Sequence, residues 1–327
     1  MTLSEKVGQM FIARCPSVDA PIYAQKYNLG GYILFGRDFK NSDPDTFRKT
    51  VQKHQGNVKI PMFIAVDEEG GIVTRASRYP KFRSSPFPSP QELYNEGELD
   101  AVRADAKEKS AFLLDLGINL NFAPVCDISQ NPNDFMYERS VALDAAGTSE
   151  YVKAVVGEMK NARIGSVLKH FPGYGNNIDT HTGIAVDKRP INSFEESDFL
   201  PFKAGIDEGA GIVLVSHNIV NCMDENMPAS LSPKVISILR EKLAFDGLII
   251  TDDLVMDAIE MYTDKESAAV QAVIAGNDLL CCTDFTEQIP AVINAVKDGT
   301  ISEERIDESV RRILEYKIEL GIITHEQ

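Results

Sequence analysis

One grammar runs through this chain and leaves few folds open to it. A short apolar run, rich in β-branched residues, ends in polar residues, and a longer segment with helical periodicity follows. The runs are GGYILFGRD from Gly30, IPMFIAVDEEGG from Ile60, INLNFAPVCD from Ile118, GSVLKHFPG from Gly165, GIVLVSHN from Gly211, GLIITDD from Gly247 and DLLCCTD from Asp278, with GQMFIA near Gly8 as an eighth candidate. They are continuously apolar rather than alternating, which suits strands covered on both faces, as in a parallel sheet. Between them lie helical segments: DPDTFRKTVQKHQ with Asp43 as its cap, SPQELYNEG, the run from Leu99 to Leu116, SEYVKAVVGEMKNA, SPKVISILREKL, KESAAVQAVIAG and SEERIDESVRRILEYKIEL. In the last, Ile306, Val310, Ile313 and Leu314 share one face. Strands alternating with helices predict a parallel sheet with right-handed crossovers. An open doubly wound sheet and a closed barrel both satisfy that rule. Eight strand candidates, and no Gly-rich dinucleotide fingerprint after the first, favour the α/β class in its (β/α)8 TIM barrel form. No repeat, low-complexity stretch or composition shift divides the 327 residues, so 1–327 reads as a single domain.

The formal charge of −16 argues against a nucleic-acid partner and against an anionic membrane surface, because both call for a basic stripe. Five cysteines without tight spacing suit neither a disulfide framework nor a zinc knuckle. MTLSEKVGQMFIAR has no basic region followed by a long apolar one, so it does not read as a signal peptide. No apolar stretch reaches the roughly 20 residues of a membrane span. Together these predict a cytoplasmic chain, with no metal or cofactor expected. Oligomeric state is not legible.

Nearly every apolar run ends in a charged or hydrogen-bonding residue: Asp67, Asp127, Lys169–His170, Ser216–His217–Asn218, Asp252–Asp253 and Asp284. In a barrel those ends converge on one mouth, where active sites sit. For any single run the polar residue is only a strand terminus; six together point to a site. The richest stretch, KHFPGYGNNIDTHTG from Lys169 to Gly183, opens at a strand end and continues as a long loop of Pro, Gly and Asn. Within it, Asp179 and His181 are close enough in sequence to hydrogen-bond. A carboxylate would then fix the imidazole tautomer and raise its basicity, making a proton shuttle. An isolated Asp-x-His is more often a solvated loop, and a metal reading would recruit His170, His181, His217 and Asp252. The second stretch, REKLAFDGLIITDDLVMDAI, ends a strand on Asp252 and Asp253, whose side chains point to opposite sides. Alternation alone does not say which faces the mouth.

These two stretches together resemble glycoside hydrolase family 3, and within it the NagZ-like β-N-acetylglucosaminidase branch. One motif reads Ile238-Leu239-Arg240 and then Gly247-Leu248-Ile249-Ile250-Thr251-Asp252; the other is Lys169-His170-Phe171-Pro172-Gly173, Gly175 and Asp179-Thr180-His181. LSEKVGQMFI, VDEEGGIVTR from Val66, LNFAPVCDISQNP from Leu120, the Glu138-Arg139-Ser140 turn and RIDESVRRIL extend the likeness over nearly the whole chain.

The resemblance implies that Asp252 rather than Asp253 is the nucleophile, that His181 is the acid/base and that Asp179 is its dyad partner. It implies sugar-binding roles for Asp67, Arg75, Arg139, Lys169 and His170, the carboxylate accepting from ring hydroxyls and the cations donating to them. The expected reaction is removal of a terminal β-linked N-acetylglucosamine through a covalent glycosyl-enzyme, with peptidoglycan fragments or chito-oligosaccharides as the carbohydrate partner. Trp is absent, so polar groups, Tyr or Phe must hold the sugar. A deprotonated His is neutral and does not repel phosphate, which keeps a β-N-acetylglucosaminide phosphorylase in play. The same residues would also suit a metal-dependent hydrolase or a non-catalytic sugar-binding protein. Tyr174, Glu68, Ile72 and Val141 depart from the usual pattern. The glycine and asparagine content of the loop predicts that His181 reaches the site when substrate is bound.

Overall fold

The computed structural model describes all residues except Asn57, 178–184, 256–258, 260–261, 264–267 and 325–327. Every predicted run forms a strand: β1 Phe11–Arg14, β2 Gly31–Leu34, β3 Phe63–Val66, β4 Leu120–Asn121, β5 Gly165–Phe171, β7 Ile212–Val215, β9 Leu248–Thr251 and β10 Leu280–Cys282. They lie parallel in the order β10-β1-β2-β3-β4-β5-β7-β9. The two ends of that row meet where Ile250 pairs with Leu279, so the sheet closes on itself. The architecture is the (β/α)8 barrel. Full closure leaves no unpaired edge, and continuous apolar runs are what a sheet buried on both faces requires.

The helices follow their sequence signals. Asp43 accepts from the Thr46 N–H at 2.9 Å at the start of Pro44–Gly56. Ser89 and Glu92 form a capping box ahead of Pro90–Asp115, and Ser302 caps Glu303–Glu319. SPQELYNEG and the run from Leu99 are two helices separated by a kink, with non-helical backbone at Gly97 and Glu98. Three elements were not predicted. The helix Phe199–Glu208 packs its buried Phe199 and Phe202 against Phe171. A two-stranded parallel sheet joins β6 Val186–Asp187 to β8 Ile219–Val220. Unlike β4, which lies in the longer apolar run from Ile118, these two strands have no run of their own from which to be read.

Strand register decides which side chains look into the barrel. Tyr32 bonds the Ala20 carbonyl of the helix Ala20–Tyr27, so its side chain faces the helical layer. Tyr32 pairs with Ile64, and the alternate pair Ile33–Ala65 faces inward. Val213 and Ile249 pair with each other and pack with Val235 and Leu239 outside the barrel, while Leu214 and Ile250 form the inward pair. Leu168 pairs with Val213 and shares its outward face. Counting two residues on from Ala65, Val167 and Ile250 puts Asp67, Lys169 and Asp252 on the interior phase at the carboxyl ends of three strands. Among the described residues, no helix is long and apolar enough to cross a membrane.

Candidate active site

Two buried charges organise the mouth. Glu69, three residues past β3, takes Arg139 on both carboxylate oxygens at 2.7 and 2.9 Å and Lys169 at 2.6 Å. Its side chain is only 2% exposed. Burial alone would raise its carboxyl, but the two cations override that and hold it well below the usual range. Lys169 also donates to Asp67 at 2.8 Å, and Arg75 stands 3.7 Å from the other Asp67 oxygen. Four of the five expected sugar-binding residues, Asp67, Arg75, Arg139 and Lys169, are thus one charge network, with Glu69 as its hub. Glu69 was not singled out for this role. The family turn Glu69-Gly70-Gly71 carried it in plain view, but nothing local to that turn says which cations will reach it.

The fifth residue, His170, sits on the same network in a defined state. Its Nε2 lies 3.2 Å from an Arg139 nitrogen. A guanidinium can only donate, so Nε2 accepts and Nδ1 carries the proton, which goes to Asp127 Oδ2 at 2.7 Å. Both ring nitrogens are therefore engaged, and His170 bridges Asp127 and Arg139. Asp127 also takes the backbone N–H of His170 at 3.1 Å and of Tyr174 at 2.7 Å. Asp127 closes its run as a strand-end acid, but its partner lies 43 residues away. The peptide bonds Ala123–Pro124, Lys169–His170 and Phe171–Pro172 are cis.

The neighbouring carboxylates Asp252 and Asp253 divide cleanly. Asp253 Oδ1 accepts from the Val255 and Thr283 N–H groups, and Oδ2 from the Thr283 hydroxyl at 2.5 Å, so its carboxylate ties the strand end to the next turn. Its carbonyl accepts from His217 Nε2 at 3.0 Å, and His217 Nδ1 bonds Ser230 Oγ at 2.7 Å. Asp252, on the interior phase, accepts the Asp253 N–H at 2.8 Å and is half-buried. Burial first, and then the charges of Asp253, Asp252 and Asp67, push the Cys281 thiol far up.

The departures from the family pattern fall in different places. Glu68 is fully buried and takes the N–H groups of Arg75 and Ala76 at 2.9 and 2.8 Å together with the Ser77 hydroxyl, so it pins the loop that carries Arg75. Tyr174 is buried edge-on against the His170 ring, with centroids 5.6 Å apart. Val141 is buried, whereas Ile72 is exposed. Asp179 and His181 lie outside the described residues. Among those described, no group of three His, Cys, Asp or Glu side chains is arranged to hold a metal ion.

A charged mouth at the carboxyl ends of the strands of a closed barrel is where TIM-barrel enzymes hold their active sites. The model of the glycosyl hydrolase family 3 N terminal domain matches residues 2–316, and the chain belongs to that family. It is 30% identical to beta-hexosaminidase LpqI of Mycobacterium tuberculosis, over 96% of this chain and 82% of that protein. It is also 30% identical to a beta-hexosaminidase of Methylococcus capsulatus, over 84% of this chain and 81% of that one. Among solved structures, a glycoside hydrolase family 3 beta-N-acetylglucosaminidase from a Paenibacillus strain superposes with a TM-score of 0.91 at 30% identity. That match covers 98% of this chain and 63% of the Paenibacillus chain.

Proposed function

We propose that the protein is a retaining exo-β-N-acetylglucosaminidase acting on terminal β-linked N-acetylglucosamine of peptidoglycan fragments or chito-oligosaccharides. The relatives' names, beta-hexosaminidase and beta-N-acetylglucosaminidase, support the substrate class. The observation that carries the mechanism is the division between the two adjacent acids: Asp253 is committed to the Thr283 turn, and Asp252 stands on the interior phase of its strand. Asp252 attacks the anomeric carbon and expels the aglycone oxygen, forming a glycosyl-enzyme ester. His181, oriented by Asp179, protonates that oxygen and then takes a proton from the incoming water, which releases the sugar and frees Asp252. Lys169, Arg139 and Arg75 donate to ring hydroxyls while Asp67 accepts, so the sugar is bound between fixed charges. His170 and Asp127 keep Arg139 in register.

Paired aryl β-glucoside and aryl β-N-acetylglucosaminide substrates test the specificity, and equal turnover of both would remove the amino-sugar assignment. Trapping a fluorosugar ester on Asp252, read by peptide mass, tests the nucleophile. A label on Asp253 would overturn the assignment. Product analysis at high phosphate separates hydrolysis from phosphorolysis.

A further inference from the structure

Lys169, Arg139 and Arg75 each face a carboxylate at the mouth, and a further cation stands beside them with none. Arg14 ends β1 and pairs with Ile33, whose side chain looks into the barrel, so Arg14 lies on the interior phase as well. Two residues beyond Ile33, the extended backbone of Phe35 (φ −118°, ψ 170°) keeps that phase at the end of β2. Both side chains are half-buried. The Arg14 guanidinium lies over the Phe35 ring, 4.7 Å from its centroid, and that of Arg75 lies 5.8 Å from the same centroid. Arg75 in turn stands 3.7 Å from Asp67, so Phe35 links Arg14 to the charge network of the site. Arg14 Nε is buried without a hydrogen-bond partner, and no carboxylate of the described residues lies within ion-pair distance of the guanidinium. Asp38 feels its charge but is committed elsewhere: Oδ2 accepts the Phe35 N–H at 2.7 Å, and Oδ1 faces Arg37 at 3.8 Å.

We propose that Arg14 is a specificity-determining residue that receives a carboxylate on the aglycone, so that the preferred substrate carries an acidic sugar next to the one released. This rests on the reading of the mouth as an N-acetylglucosaminidase site. N-acetylglucosamine itself has no acidic group, so an anion that meets Arg14 must belong to the leaving part. A guanidinium stays charged at every working pH and can only donate. Half-buried without a counter-charge, it has lost part of its hydration and gained no partner in return, and a ligand anion supplies one. A hydroxyl would accept a hydrogen bond but leave the charge unopposed, whereas a carboxylate answers both, with hydrogen bonds roughly twice as strong. The Phe35 ring holds the guanidinium by its face, so less freedom is lost when the carboxylate binds.

The test compares kcat/KM on two β-N-acetylglucosaminyl disaccharides that differ only in a substituent of the second sugar, a carboxylate-bearing ether and its neutral methyl amide. The parent should prefer the acid about tenfold or more. Arg14→Met keeps an unbranched apolar stem beside Phe35 and removes the charge, and it should bring the acid-to-amide ratio to within about twofold of one. Arg14→Lys keeps a point charge without the fork and should give a ratio between the two. The parental ratio needs no variant, so it decides the matter even if a variant misfolds. Equal cleavage of acid and amide by the parent, or a parental ratio retained in Arg14→Met, would overturn the carboxylate site. An aryl N-acetylglucosaminide separates the two ways of failing. If the parent cleaves it and shows no acid preference, the carboxylate site alone is wrong; if the parent cleaves none of the three substrates, the glycosidase reading falls and the carboxylate site with it.

Discussion

Buried ion networks stand at both ends of the barrel, and they are built for different ends. At the floor, just before β10, Asp278 is fully buried and every acceptor position is taken. Oδ2 accepts from Arg240 at 2.5 Å and the Ile249 N–H at 3.1 Å, Oδ1 from Ser309 at 2.8 Å and Arg312 at 3.1 Å, and Arg305 lies 3.8 Å away. Arg240 and Arg305 spend further donors on the carbonyls of Phe245, Gly247 and Asn277. That network stitches the closing strands to the C-terminal helix. At the mouth, Glu69 gathers Arg139 and Lys169 beneath the opening, and Lys169 reaches on to Asp67. The same kinds of charge thus tie strands to a helix at the amino ends and gather at the carboxyl ends, where barrel active sites sit.

Four experiments break or sharpen that contrast. The largest effect should come from Asp252→Asn, which removes the proposed nucleophile with almost no loss of packing. Turnover should fall about 10⁴-fold or more with an unchanged melting temperature, whereas Asp253→Ala, which frees the Thr283 turn, should lower stability by about 1–3 kcal/mol. If Asp253→Ala abolished turnover and Asp252→Asn did not, the assignment of the two acids would be reversed. Asp278→Ala should act in the opposite sense, costing about 3–5 kcal/mol in urea unfolding because buried guanidinium groups lose their counter-charge. The folded fraction should keep the kcat/KM of the parent.

Glu69→Gln should be intermediate, because it withdraws the charge that fixes Arg139 and Lys169. A rise in KM with a fall in kcat, together about 10- to 100-fold in kcat/KM, is expected. A variant with parental kinetics would show that the hub is structural only. The smallest effect concerns Lys317 at the floor, fully buried, bonded to Gln9 Oε1 at 2.8 Å and pushed down to about 7 by desolvation. Above pH 7 the folded chain leaves this amine neutral while the unfolded chain still binds its proton, up to the ordinary value of 10.5. Stability contributed by this group therefore rises with pH across that window, by at most about 1.4 kcal/mol per unit. Lys317→Met should flatten the pH dependence of urea unfolding between pH 7.5 and 9.5, and equal slopes in the two proteins would contradict this.

Most of the barrel was legible because its signals are local. Continuous apolar runs, Asp43, Ser89 and Ser302 at helix starts, and a carboxylate or cation at each strand end are properties of a few neighbouring residues. Motif likeness added the choice of Asp252 over Asp253 and the roles of Asp179 and His181, which fall outside the described residues. The helix Phe199–Glu208 and the β6–β8 pair escaped notice, the latter because these strands have no run of their own and are stabilised by tertiary pairing.

By itself, then, the sequence determined the strand-and-helix alternation, the barrel class and the list of polar residues delivered to one mouth, since these follow from periodicity and residue type. Only the tertiary structure decided how those residues are used. Glu69 meets Arg139 across 70 positions and Lys169 across 100, and Asp127 sets the tautomer of His170 from 43 residues away. Burial makes those pairings binding: in a site closed to water, each charge must find its partner in space, and distance along the chain carries no trace of which partner that is.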